Sequence, residues 1–150
     1  MVIDDFHGDN FFLSNFYPYP VEFEGLTYPS NEHAYQAAKT LDLDKRKEFT
    51  NPNVSAGQSK KMGRTVKLRE DWDSVKLGVM KQLLVRKFSD KELRKKLNDT
   101  GDCELVEGNY WNDTYWGVCK GVGENHLGKL LMEIRSYNRL MDGTVQYKAI

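Results

Sequence analysis

Glu32, Gln36 and Lys39 stand four and three residues apart in the stretch YPSNEHAYQAAKT. A carboxylate, an amide and an amine at that spacing fall on one stripe of a helix. At about 100° per residue, Gln36 lies about 40° from Glu32 and Lys39 about 20° to its other side, lining a groove roughly 10 Å long. A carboxylate so placed can stabilise developing positive charge or activate water, and an amine can hold an anion. The same trio also suits an ordinary solvated face: Glu in a first turn and Lys near an end complement the helix dipole, and such neighbours pair on many surfaces. His33, between them, is better suited to packing or capping than to acting as a base.

A second carboxylate, Asp113, sits in YWNDTYWG among Tyr110, Trp111, Tyr115 and Trp116, with Gly117 after it. Indole and phenol faces stack on flat rings, and a carboxylate beside them can meet a ring N–H edge or a developing cation. A buried corner whose turn is capped by Asp113 is the competing reading. In NFFLSNFYP, Ser14 and Asn15 lie between aromatic residues, which suits either a self-capped turn or an amide offered to a ligand. Arg64, Lys67 and Arg69 in MGRTVKLREDW supply cationic heads suited to phosphate, as charged helix ends also do.

These residues need elements to hold them. Val21 and Phe23 alternate towards Gly25, which predicts a hairpin over Tyr19–Tyr28. Ser30 is a natural N-cap for a helix from about Asn31, with Ala34, Ala37, Ala38 and Leu41 on an apolar side. A short charged helix follows in LDLDKRKEFTN, then a weaker one in NVSAGQSKKMGR, where Gly57 and Gly63 interrupt. Val75, Val79, Met80, Leu83, Leu84 and Phe88 repeat with helical period from Trp72, with Asp71 or Asp73 as cap. Ser89 with Glu92 reads as a capping box for another helix, closed by Gly101. CELVEGN reads as one short strand, and the Gly-rich segment after it as loop. A last helix starts near Asn125 and runs through Leu140, with DGTVQYKAI as an edge strand or frayed end.

The pattern is that of one α+β domain over residues 1–150, compact and mainly α-helical with a few short strands. Lys plus Arg and Asp plus Glu each number 22, so bulk attraction to a duplex or an anionic membrane is not expected, though a local phosphate pocket is compatible. Two cysteines outside any C-x-x-C pair, and no secretory or membrane-spanning run, suggest a cytoplasmic protein. Dinucleotide, P-loop and nucleophile-elbow fingerprints are missing. His7, His33 and His126 have no zinc-ligand spacing, so no metal is expected.

FLSNFYP, YPSNEHAYQAAK, GRTVKLREDW leading into MKQLLVRKF, LNDTGDCELVEGN, DTYWG and GENHLGKLLMEIR follow one another in this order. Together they resemble the YbiA-like, or NADAR, family across roughly Phe12 to Arg135. The resemblance implies a compact, mainly helical α+β fold and an N-glycosidase without cofactor. Members cleave a C1′–N bond between ribose phosphate and a pyrimidine intermediate of riboflavin synthesis, or process ADP-ribose, including ADP-ribose on guanine in nucleic acid. A non-catalytic module that binds ADP-ribose or a nucleotide is the alternative. The implied partners are a small ribose-phosphate or ADP-ribose substrate or a modified nucleobase, with no membrane.

Placed on these motifs, Glu32 is expected to stabilise the sugar cation or activate water, with Asp113 as second catalytic carboxylate. Phe16, Trp72 and Trp116 are expected to flank the base, and Lys39, Arg64 and Lys87 to take phosphate. Gln36 belongs with the binding stripe. Asn15 and Asn125 are candidate polar contacts, and Gly117 and Gly128 allow close backbone approach. The chain departs from the family pattern at Cys119, where Gly is expected, and at Asn31 and His126, where apolar residues are common.

Overall fold

The computed structural model describes residues 1–149, with side chains described for 1–143. Six α-helices, a 3-10 turn at Gly8–Leu13 and six short strands form a mixed α+β fold, with strands paired only in twos. The chain gathers into two compact units, one made of Asn15–Lys87 and the other of Met1–Ser14 with the chain from Phe88 onward.

The Asn15–Lys87 unit starts with the expected hairpin, β2 (Pro18–Phe23) against β3 (Leu26–Ser30), after β1 (Val2–Ile3) of the other unit. Its two-residue turn puts Glu24 and Gly25 at φ 48° and 90°, the left-handed pair that matches the twist of hairpin strands. Val21, Phe23 and Tyr28 point into the core. Helix α1 (Asn31–Ala37) follows β3 directly, with the extended Ser30 accepting at Oγ from the His33 N–H. Ala34, Ala37 and Ala38 have no exposed surface, and such small side chains let the hairpin, α3 and α4 close around a single short helix. Every residue of α1 is buried, which removes the solvated-face reading of Glu32 and Gln36.

Helix α2 (Leu43–Glu48) is capped by Asp42, and α3 (Ala56–Met62) by a Ser55–Gln58 capping box that outweighs its interrupting glycine. Helix α4 (Trp72–Lys87) buries Val79, Met80, Leu83 and Leu84 on one stripe, as the periodicity predicts. Neither expected side-chain cap is seen at its start: the Asp71 carboxylate is held instead by the Arg69 guanidinium, at 2.6 and 3.0 Å. The guanidinium fork takes both carboxylate oxygens at once, so the carboxylate turns outward.

In the other unit β1 pairs in parallel with β4 (Glu104–Leu105), and β5 (Gly108–Asn109) with β6 (Val118–Cys119). The single strand expected in CELVEGN is thus two, belonging to different ladders. Helix α5 (Lys91–Asp99) is capped by Asp90, which accepts from the Leu93 N–H, so a simple Asp90 cap stands where the Ser89–Glu92 capping box was expected. Gly101 takes the expected left-handed closure at φ 64°. Helix α6 (His126–Ala149) packs on α5 and continues through the tail expected as strand or frayed end, apart from Ile150, which lies outside the described residues. The α5–α6 pairing is reinforced where Arg94 grips Asp142 at 2.9 Å and Asn98 donates to the same carboxylate at 2.7 Å. Among the described residues, no helix is long and apolar enough to cross a membrane, and no three His, Cys, Asp or Glu side chains gather as metal ligands.

Candidate active site

Glu32 is fixed from both ends. Its backbone N–H donates to the Asn15 carbonyl at 3.0 Å, and its Oε1 accepts from Gln36 Nε2 at 2.8 Å. Only 7% of its surface is exposed. The opposite side of Gln36 is backed by Gly63, where a Cβ would stand 1.8 Å from Gln36 Oε1. The glycine that weakens α3 as a helix is therefore what admits the amide that orients the carboxylate.

Lys39 is the cation on which the charge of Glu32 acts. Burial pushes the Lys39 ammonium below the usual lysine range, Glu32 pulls it back up, and Arg64, Lys60 and Lys76 push it down again. Those four groups thus lie within electrostatic reach of Lys39. Its Nζ also sits 5.7 Å from the centre of the Tyr35 ring, which packs on Trp72 at 5.2 Å. The backbone of Arg69 donates to the Lys39 carbonyl at 2.8 Å, tying the segment before α4 to the end of α1. Cationic groups about Lys39 can hold an anion, and a desolvated carboxylate can stabilise a cation forming close to it.

His33 is structural, as its sequence context suggests. Its Nε2 lies 2.6 Å from the Val54 carbonyl, which can only accept, so Nε2 carries the proton and Nδ1 accepts from Ser30 Oγ at 2.6 Å. Burial holds its pKa below the ordinary histidine value.

The second group of expected residues forms a connected set in the other unit. Asp113 Oδ1 accepts from the N–H groups of Tyr115 and Trp116 at 3.1 and 2.9 Å, while Asn109 bonds the Asp113 backbone from both sides. The carboxylate is a turn cap. Asn125 is left-handed at φ 54°, and its amide is occupied by the Glu107 N–H and the Leu105 carbonyl at 3.0 and 2.9 Å. A Cβ on Gly128 would lie 2.0 Å from the Leu105 carbonyl oxygen, and one on Gly117 2.0 Å from that of Glu107. The close approaches at these glycines are thus to the protein's own backbone, and the Asn125 amide is engaged by the fold. Tyr115, Trp116 and His126 stack beside this turn, Tyr115 lying 4.8 Å from Trp116 and 4.4 Å from His126.

Asn15, Glu32, Gln36, Lys39 and Arg64 are therefore brought together, with Trp72 behind them against Tyr35. Phe16, next to Asn15, is 38% exposed. Lys87 lies at the far end of α4, 1% exposed, with its Nζ 5.3 Å from the Tyr17 ring centre. Sequence reasoning missed Lys60 and Lys76. Both are ordinary helix lysines in the chain, and only the packing of α3 and α4 around α1 brings them near Lys39.

Comparison with known proteins adds an independent line. The NADAR domain family matches residues 4–139. The chain is 42% identical over 136 residues to N-glycosidase YbiA of Escherichia coli (strain K12), covering 87% of this chain and 81% of that protein. It is 35% identical over 129 residues to N-glycosidase Npun_R5314 of Nostoc punctiforme, covering 82% of each. The solved NMR structure of Escherichia coli YbiA superposes with a TM-score of 0.81 at 38% identity, covering 94% of this chain and 87% of that one.

Proposed function

Since the chain belongs to the NADAR domain family and is a hydrolase of N-glycosyl bonds, we propose that it cleaves the C1′–N bond of a ribose phosphate joined to a pyrimidine intermediate of riboflavin synthesis. One observation carries the reading: a buried carboxylate, Glu32, oriented by Gln36, acts electrostatically on Lys39, on which Arg64, Lys60 and Lys76 also act. A relative from Vibrio vulnificus named a riboflavin biosynthesis protein, 35% identical over 136 residues, supports the choice of substrate; this chain spans 36% of its length.

Breaking the C1′–N bond leaves the electron pair on nitrogen and builds positive charge on the sugar ring. Glu32 stabilises that charge, and the same carboxylate can take a proton from the water that adds to C1′. The cations hold the phosphate and so position C1′ at Glu32. Gln36 keeps the carboxylate aimed, and the base leaves as the neutral amine once its nitrogen gains a proton. Asp113 shapes the Tyr115–Trp116 turn of the other unit.

Incubation with early riboflavin intermediates, ADP-ribose, NAD and ADP-ribosylated guanine, followed by chromatography, tests the reading. Release of free base from the pyrimidine conjugate is expected. No release from any of the panel would reject it.

A further inference from the structure

Asn31 is 1% exposed, and neither its Oδ1 nor its Nδ2 has a hydrogen-bond partner among the described residues. Two more buried amide oxygens share that state, Asn15 Oδ1 and Gln36 Oε1. All three residues are coupled to Glu32. Asn31 precedes it, Gln36 bonds its carboxylate, and the Asn15 carbonyl receives its N–H. Asn31 also shares a helix face with Tyr35, four residues on, whose ring underlies the Lys39 ammonium. An unpaired buried amide group destabilises a fold by about 1–3 kcal/mol, so an apolar residue would serve the core better here. Indeed an apolar residue suits the neighbouring Ala34, Ala37 and Ala38 positions, all fully buried.

We propose that Asn31 is a specificity-determining residue that reads the ribose hydroxyls of the substrate, with Asn15 completing the set; the inference rests on the ribose-phosphate reading above. The unpaired atoms comprise three acceptors, Asn15 Oδ1, Asn31 Oδ1 and Gln36 Oε1, and one donor, Asn31 Nδ2. Of these, Gln36 Oε1 packs against Gly63. A sugar diol complements the other three, its two hydroxyls donating to Asn31 Oδ1 and Asn15 Oδ1 while one of them accepts from Asn31 Nδ2. A site whose buried polar groups await hydroxyls discriminates strongly against a sugar lacking one, because the orphaned groups stay desolvated.

The test uses binding rather than turnover. Wild-type protein and the Asn31→Ala variant are titrated calorimetrically with ribose 5-phosphate and with 2-deoxyribose 5-phosphate. The wild type should prefer ribose 5-phosphate by about tenfold or more, the loss expected when a buried partner is left unpaired. Asn31→Ala should bind the two sugars alike within a factor of about three, with a melting temperature equal to or above the wild type's. Asn31→Ser, which keeps one hydroxyl, should retain part of the preference and guards against misfolding of the alanine variant. An undiminished preference in Asn31→Ala, or no preference in the wild type, overturns the proposal. Failure of the glycosidase reading would look different: sugar selectivity would depend on Asn31 while no substrate released base.

Discussion

Two carboxylates flanked by polar and aromatic residues look equivalent along the chain, yet they are held in opposite ways. Asp113 is anchored by backbone N–H groups of the two residues that follow it, inside a turn tied by Asn109. Glu32 is anchored by a side chain, Gln36, and is buried within electrostatic reach of the Lys39 ammonium. A carboxylate bonded to its own backbone mainly defines a loop. A carboxylate aimed by a side chain, with burial and positive charge about it, has its electrostatics available to a ligand. The difference teaches that the partner of an acid, more than its sequence surroundings, separates a turn cap from a carboxylate whose charge is open to a ligand.

The sharpest way to break this comparison is Glu32→Gln. It should lower kcat by ~10²-fold or more while KM changes little, because the lost interaction forms only with the transition-state charge. Steady-state kinetics on the pyrimidine conjugate measure this, and an unaffected kcat would remove Glu32 from the mechanism. Next in size is Gly63→Ala. Its Cβ would displace Gln36 Oε1 from 1.8 Å away, so Glu32 should lose its aim and activity should fall about tenfold. Denaturant unfolding should show the variant still folded, since a buried side-chain end can shift where backbone cannot.

Asp113 provides the reciprocal experiment. Asp113→Asn keeps an acceptor oxygen for the Tyr115 and Trp116 N–H groups and should stay close to wild type. Asp113→Ala removes the cap and should cost about 1 kcal/mol in urea unfolding. If instead Asp113→Asn lost as much kcat as Glu32→Gln, the charge of Asp113 would matter and the contrast would fail.

The smallest effect concerns His33. Burial holds its folded pKa below the ordinary histidine value of 6.5, so at neutral pH it is mostly uncharged in both folded and unfolded chains. As pH falls through 6.5, the unfolded chain takes up a proton first, and stability declines until the folded group also titrates. Urea unfolding between pH 7 and 5 should show this decline, and His33→Gln should flatten it by up to one proton's worth of slope.

Much of the fold was legible in the chain because its signals are local. The Glu24–Gly25 turn, the Ser30 cap, the α4 stripe and the Gly101 closure each depend on a few adjacent residues. Misreadings arose where neighbouring polar groups competed. Asp90 displaced Ser89 at the start of α5, and Arg69 drew the Asp71 carboxylate from α4. Short parallel ladders were also illegible, since β1 and β4 are separated by a hundred residues of unrelated sequence and each is only two residues long.

By itself the sequence determined that Glu32 and Gln36 share one helical face, because α-helical periodicity is set by the backbone whatever surrounds it, whereas Lys39, expected on the same stripe, falls in the turn after α1 has ended at Ala37. It equally determined, through the ordered motifs, the family to which the chain belongs. Only the tertiary structure decided that α1 is buried throughout, that Gly63 makes room for Gln36, and that Lys60 and Lys76 join Lys39. It also decided that Asn125, Gly117 and Gly128 serve the protein's own backbone. Burial and partner choice are sums over segments distant along the chain, and no local pattern encodes which of several polar groups reaches a carboxylate first.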